Sequence, residues 1–128
     1  MKKFLLLLLA PLLMSTQCEK DNDPVFSTEY FIQNSSGIDL ILITEEAGEI
    51  LIESQSSQFI AVATDLDSFV LPSESVAFDA ITLYREDGGG NRVIAYEQRP
   101  IADELWVLNN LSTYDTEYIL TITDELLD

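Results

Sequence analysis

The chain has 128 residues, enough for one domain and too few for two, and 47% of them are hydrophobic, too many for an acidic disordered tail. Its formal charge of −17, from 23 acids against six Lys and Arg, opposes binding to nucleic-acid phosphates and to anionic lipid head groups. With no histidine and one cysteine, it has no Ser-His-Asp triad, no Cys-His pair, no histidine metal site, no intramolecular disulfide and no cysteine zinc site.

The chain opens with Met1-Lys2-Lys3, an apolar run from Phe4 to Met14, then Ser15-Thr16-Gln17-Cys18. As a helix the run reaches about 16 Å, half of a hydrocarbon core of about 30 Å, so it cannot span a bilayer. A buried core helix is the competing reading, but such a helix keeps a polar face, whereas this run is Leu-rich all round and broken by Pro11. A positive start, a short apolar middle and a small polar stretch make residues 1–17 an expected export signal. Cys18 stands where a lipoprotein signal needs it. Diacylglycerol would join the sulfur, the chain would be cut before Cys18, and the new amino group would be acylated. Several acyl chains hold stably, whereas one binds with only about 10⁴ M⁻¹. An ordinary signal with an incidental cysteine is the plainer alternative. Cleavage removes Lys2 and Lys3 and no acid, leaving a net charge of −19.

The Leu tract after Met1-Lys2-Lys3, followed by Gln17-Cys18-Glu19-Lys20-Asp21-Asn22-Asp23, resembles the start of Bacteroidota-type surface lipoproteins. The resemblance covers about the first 24 residues. It implies a lipid anchor in the outer membrane, with Lys20, Asp21 and Asp23 as the export signal for cell-surface display; without that signal the domain would face the periplasm. Ser15 and Gln17 differ from the usual Leu and Gly, Ala or Ser of that motif, and Asn22 separates the two acids.

Residues 18–27 read as an acidic tether broken by Pro24, and 28–128 as the folded domain. From Thr28 the apolar pattern has period two. Tyr30 and Ile32 align in 28–34; Ile38, Leu40 and Leu42 in 38–44; Ile50 and Ile52 in 49–53, after a hairpin loop at Glu45-Glu46-Ala47-Gly48. Residues 58–64 form a further strand, and 65–79 a longer connection broken at Pro72. Strands at 80–85 and 92–98 flank Glu86-Asp87-Gly88-Gly89-Gly90-Asn91, where three glycines tolerate positive φ. Residues 100–110 read as one helical turn and a strand around Leu105–Leu108, and 118–123 as the closing strand. The expected fold is all-β: a small antiparallel β-sandwich, immunoglobulin-like or related, of about seven strands.

Trp106, flanked by Leu105, Val107 and Leu108, is expected in the core rather than on a recognition surface. Gly88-Gly89-Gly90 lacks the lysine and helix of a phosphate loop, and Lys20 sits in the tether, where a buried Schiff base cannot form. Paired carboxylates are the catalytic chemistry left, and they need a cleft that short loops do not build. Asp65-Leu66-Asp67 is the candidate calcium site, with two carboxylates on one side of an extended segment; solvated acids explain it equally well. No cofactor is otherwise expected. The sequence therefore points to a non-catalytic envelope lipoprotein that binds or supports an envelope protein or a glycan and does not bind nucleic acid. The alternatives are a small anchored hydrolase with two carboxylates, and a spacer or coat protein whose charge keeps β-edges apart.

Overall fold

The computed structural model describes residues 24–45 and 47–128. Eight strands form: β1 Phe26–Asn34, β2 Leu40–Thr44, β3 Gly48–Ile52, β4 Ser56–Asp65, β5 Ile81–Glu86, β6 Arg92–Gln98, β7 Trp106–Asn110 and β8 Asp115–Ile122. They build two four-stranded sheets, ordered β4-β1-β8-β7 and β3-β2-β5-β6. The all-β sandwich expected from the alternation is what the chain adopts, with eight strands where about seven were expected, and the strand read around Leu105–Leu108 is β7.

The alternation explains the core. Thr28, Tyr30, Ile32 and Asn34 of β1 all point inward and are fully buried, as are Leu40, Ile52, Ile81, Leu83 and Ile122. The strand starts at Phe26, two residues before the expected Thr28, because the Phe26 ring packs edge-on against Phe69 and Tyr114.

Two features depart from a simple antiparallel sandwich. β1 runs antiparallel to β4 and parallel to β8, so the first and last strands are partners in the middle of one sheet. Parallel neighbours need a long crossover, and here the rest of the domain is that crossover. Two strands also carry an extra residue. Tyr30 faces Ala61 while Phe31 faces Phe59, which leaves Ile60 unpaired in β4; Leu83 faces Tyr96 while Tyr84 faces Ile94, which leaves Ala95 unpaired in β6. Each bulge turns two consecutive residues to the same side, so Ile60 and Ala61 both pack on the core and Ala95 and Tyr96 are both buried.

The long connection after β4 folds onto the open side of the sandwich. Val70 N–H donates to Thr28 Oγ1 at 3.1 Å, and the Tyr30 hydroxyl donates to Val70 O at 2.6 Å. Ser73 donates from both N and Oγ to the Asp103 carboxylate, at 2.8 and 2.6 Å. Phe78 then stacks on Trp106 with centroids 5.7 Å apart. Trp106 is a core residue, 5% exposed, with its indole N–H donating to Gln98 Oε1 at 3.0 Å. The expected helical turn before it is a 3₁₀ turn, Asp103–Leu105.

At the β5–β6 hairpin only Gly90 of the three glycines takes a positive φ, +80°. Asp87 closes the loop instead. Its Oδ1 accepts from Gly89 N at 2.8 Å and Asn91 N at 2.9 Å.

Candidate binding faces

The buried polar groups serve the fold. Asn34, fully buried at the end of β1, donates through Nδ2 to Ile38 O at 2.8 Å and to Ile52 O at 3.0 Å, and its Oδ1 accepts from Ser36 N at 3.0 Å. It thereby ties the end of β1 to the loop that leads into β2 and to the last residue of β3. Gln98 does the same at the other polar cluster, donating to Tyr96 Oη at 2.8 Å and accepting from Ala102 N at 3.0 Å as well as from Trp106. No buried side-chain nitrogen or oxygen among the described residues lacks a partner, so none is left aimed at a ligand. Burial pushes the Tyr30 hydroxyl up to about 12, and burial raises that of Tyr118 as well, with the Asp103 and Glu74 carboxylates adding to both shifts. Tyr30 and Tyr118 lie with rings stacked 6.2 Å apart inside the core.

The Asp65-Leu66-Asp67 segment leaves β4 as a turn. Asp65 Oδ2 accepts from Asp67 N at 3.0 Å and Ser68 N at 3.1 Å, a local use of the carboxylate that accounts for an aspartate there. No group of three or more Asp, Glu, His or Cys side chains gathers among the described residues, so this pair has no third protein carboxylate beside it. Cys18, Lys20, Asp21 and Asp23 lie outside the described residues, as does Glu46 of the expected hairpin loop. No helix among the described residues is long and apolar enough to cross a membrane.

What the register brings together is on the outside. On the sheet β3-β2-β5-β6, Leu51 faces Ile41, Ile41 faces Tyr84 and Tyr84 faces Ile94, one apolar row across all four strands. Leu51 and Ile94 are about half exposed. The next outward positions along these strands are Glu49, Glu53, Asp39, Glu86, Arg92 and, past the bulge, Glu97, all exposed, together with Ile43, also exposed, and the half-buried Thr82. Glu49 and Arg92 pair through a bidentate contact that joins β3 to β6, with Arg92 Nη2 to Glu49 Oε2 at 2.8 Å. The Arg92 guanidinium holds the Glu49 carboxyl below the usual carboxylate range. Beside the row, a hollow of about 320 Å³ opens between Ile38, Asp39, Ile41, Leu51, Arg85 and Glu86.

The other sheet has its own row, Phe59–Phe31–Ile119–Val107, read across β4, β1, β8 and β7. Next to it Glu29 and Glu117 are register partners on β1 and β8, with Asn109 Nδ2 donating to Glu117 Oε2 at 3.3 Å. Both acids are half-buried, and Glu29 also lines a hollow of about 150 Å³ with Ser27, Leu111, Ser112, Asp115 and Thr116.

The sequence reading did not single out these rows. The signal was present in Leu40-Ile41-Leu42-Ile43, a strand apolar on both faces where one buried face would leave the other polar. Comparison with family models, with curated proteins and with solved structures finds no match for the chain.

Proposed function

We propose that this protein is a non-catalytic binding module of the cell envelope, held at the outer membrane by lipid on Cys18 and displayed at the cell surface. The observation that carries the reading is the apolar row Leu51–Ile41–Tyr84–Ile94 on an outer sheet face, extended by Ile43 and bordered by Glu49, Glu53, Asp39, Glu86 and Glu97. Such a surface fits an envelope protein that offers an apolar strip flanked by Lys or Arg, since apolar contact supplies affinity and opposite charge supplies orientation and encounter rate. A tether of eight residues from Cys18 to Phe26 spans less than about 30 Å, which keeps that face close to the leaflet where such partners sit. The absence of histidine from the chain removes histidine general-base chemistry, in keeping with a binding role.

Cys18→Ala is expected to abolish labelling with a fatty-acid probe and to free the domain from the membrane; labelling that persists places the modification elsewhere. Protease added to intact cells should digest a surface-displayed domain, and protection would put it in the periplasm. Crosslinking in intact envelopes should capture one dominant protein with the parent chain and lose it with the paired change Leu51→Asp and Ile94→Asp. Capture unaffected by that change removes this face from the reading.

A further inference from the structure

We propose that two copies of this chain pair through β4, edge to edge and antiparallel about a two-fold axis, joining their sheets into one eight-stranded sheet. β4 is the longest strand, ten residues, and among the strands it alone has no buried residue. It is an edge strand with no charged residue from Ser56 to Thr64 and no proline. Natural edges are usually blunted by charge, by proline, by shortness or by a covering segment. The other three edges here have such devices. β3 and β7 are five residues each, β3 carries Glu49, and on β6 the Ala95 carbonyl accepts from the backbone N–H of Asp128.

The bulge makes the strand self-complementary. In a regular strand, a two-fold axis midway between two residues sets inward side chains opposite outward ones, because faces alternate at every residue. The midpoint of β4 falls between Ile60 and Ala61, and that is where the bulge turns two consecutive residues inward. Exposure along the strand therefore mirrors about this point: Ser57, Phe59, Val62 and Thr64 are exposed, while Gln58, Ile60, Ala61 and Ala63 are half-buried. With the axis there, Ser57 faces Thr64 of the second copy, Phe59 faces Val62, and Gln58 faces Ala63, outward with outward and inward with inward. The two exposed apolar side chains of the edge, Phe59 at 44% and Val62 at 50%, then cover each other as aromatic and β-branched cross-strand pairs.

Residues 56–64 of the strand carry no charge while the whole chain is strongly acidic, so the repulsion between copies is mostly long-range and screenable. Sedimentation equilibrium of the full chain in mild detergent should show a dimer fraction that grows as NaCl rises from about 0.1 M to about 1 M, where the Debye length falls from about 10 Å to about 3 Å. Val62→Asp should return the monomer. Val107→Asp, on the same outer face at the opposite edge, should leave the dimer intact. The register has its own test in full chains whose Cys18 is replaced by Ser. A mixture of Phe59→Cys and Val62→Cys chains should form a disulfide under mild oxidation, and Val62→Cys alone should not, because its two copies would be offset by about 7 Å along the strands as well as about 5 Å across them, beyond the Cα separation a disulfide bridges. A monomer at both salt concentrations overturns the proposal, as does a dimer that survives Val62→Asp or a mixture that fails to crosslink.

Discussion

At the scale of single residues, the chain relies on a few polar side chains that each close several bonds. Asn34 is the strongest case, because its amide satisfies carbonyls from two other segments in a site closed to water. Asn34→Ala is expected to cost about 2–3 kcal/mol, since the Ile38 and Ile52 carbonyls then lose a buried donor; urea unfolding measures it as a lower midpoint at unchanged slope. Tyr30 sets the alkaline limit. Its folded value of about 12 lies above the ordinary 10.0, so the stability contributed by the neutral phenol is complete below about pH 10 and is lost as pH rises through 12. An unfolding transition in that window, reduced in Tyr30→Phe, is the expected result by circular dichroism. Neither role was readable from the sequence. Asn34 followed by Ser35-Ser36-Gly37 looks like turn chemistry, and only the fold brings Ile52 to its side chain.

At the scale of elements, strands were legible wherever one face is buried and the other polar, as in Thr28–Asn34, with Tyr30 and Ile32 inward. They were illegible where the period breaks. The bulges at Ile60 and Ala95 put two neighbours on one face, and no local pattern announces them because the extra residue is selected by the partner strand. β8 begins at Asp115, three residues before the expected Tyr118, because Thr116 is a buried polar position whose Oγ1 bonds Asn109 O at 3.1 Å. The hairpin turn between β5 and β6 was recognisable from its glycines, although one of them and one aspartate do the conformational work. Gly90→Ala should destabilise by about 1 kcal/mol through left-handed strain, while the same change at Gly88, which has ordinary φ and open space, should be near neutral. Amide donors from Asn91 and Gly89 hold the Asp87 carboxyl below its ordinary value. Its contribution is therefore present above the unfolded value and lost as pH falls through the lower folded one. Chemical shifts of the loop amides should report that acid transition, and Asp87→Asn should remove it.

At the scale of the whole molecule, charge and topology set the behaviour. A net charge of −17 with three arginines in the domain works against compaction, so the melting temperature should rise with NaCl at protein concentrations too low for association. A temperature independent of salt would mean that the acids are spaced widely enough to ignore one another. Topology has a different consequence. β8 fills the slot between β1 and β7, so the sheet that begins with residue 26 is completed only by residues 115–122. A chain that has reached only residue 114 holds three strands of this sheet, the β4–β1 pair and β7, with a gap between β1 and β7. Folding of this half therefore waits for residues 115–122, and a polypeptide shortened before Asp115 would leave both flanking strands unpaired along the sides where β8 belongs.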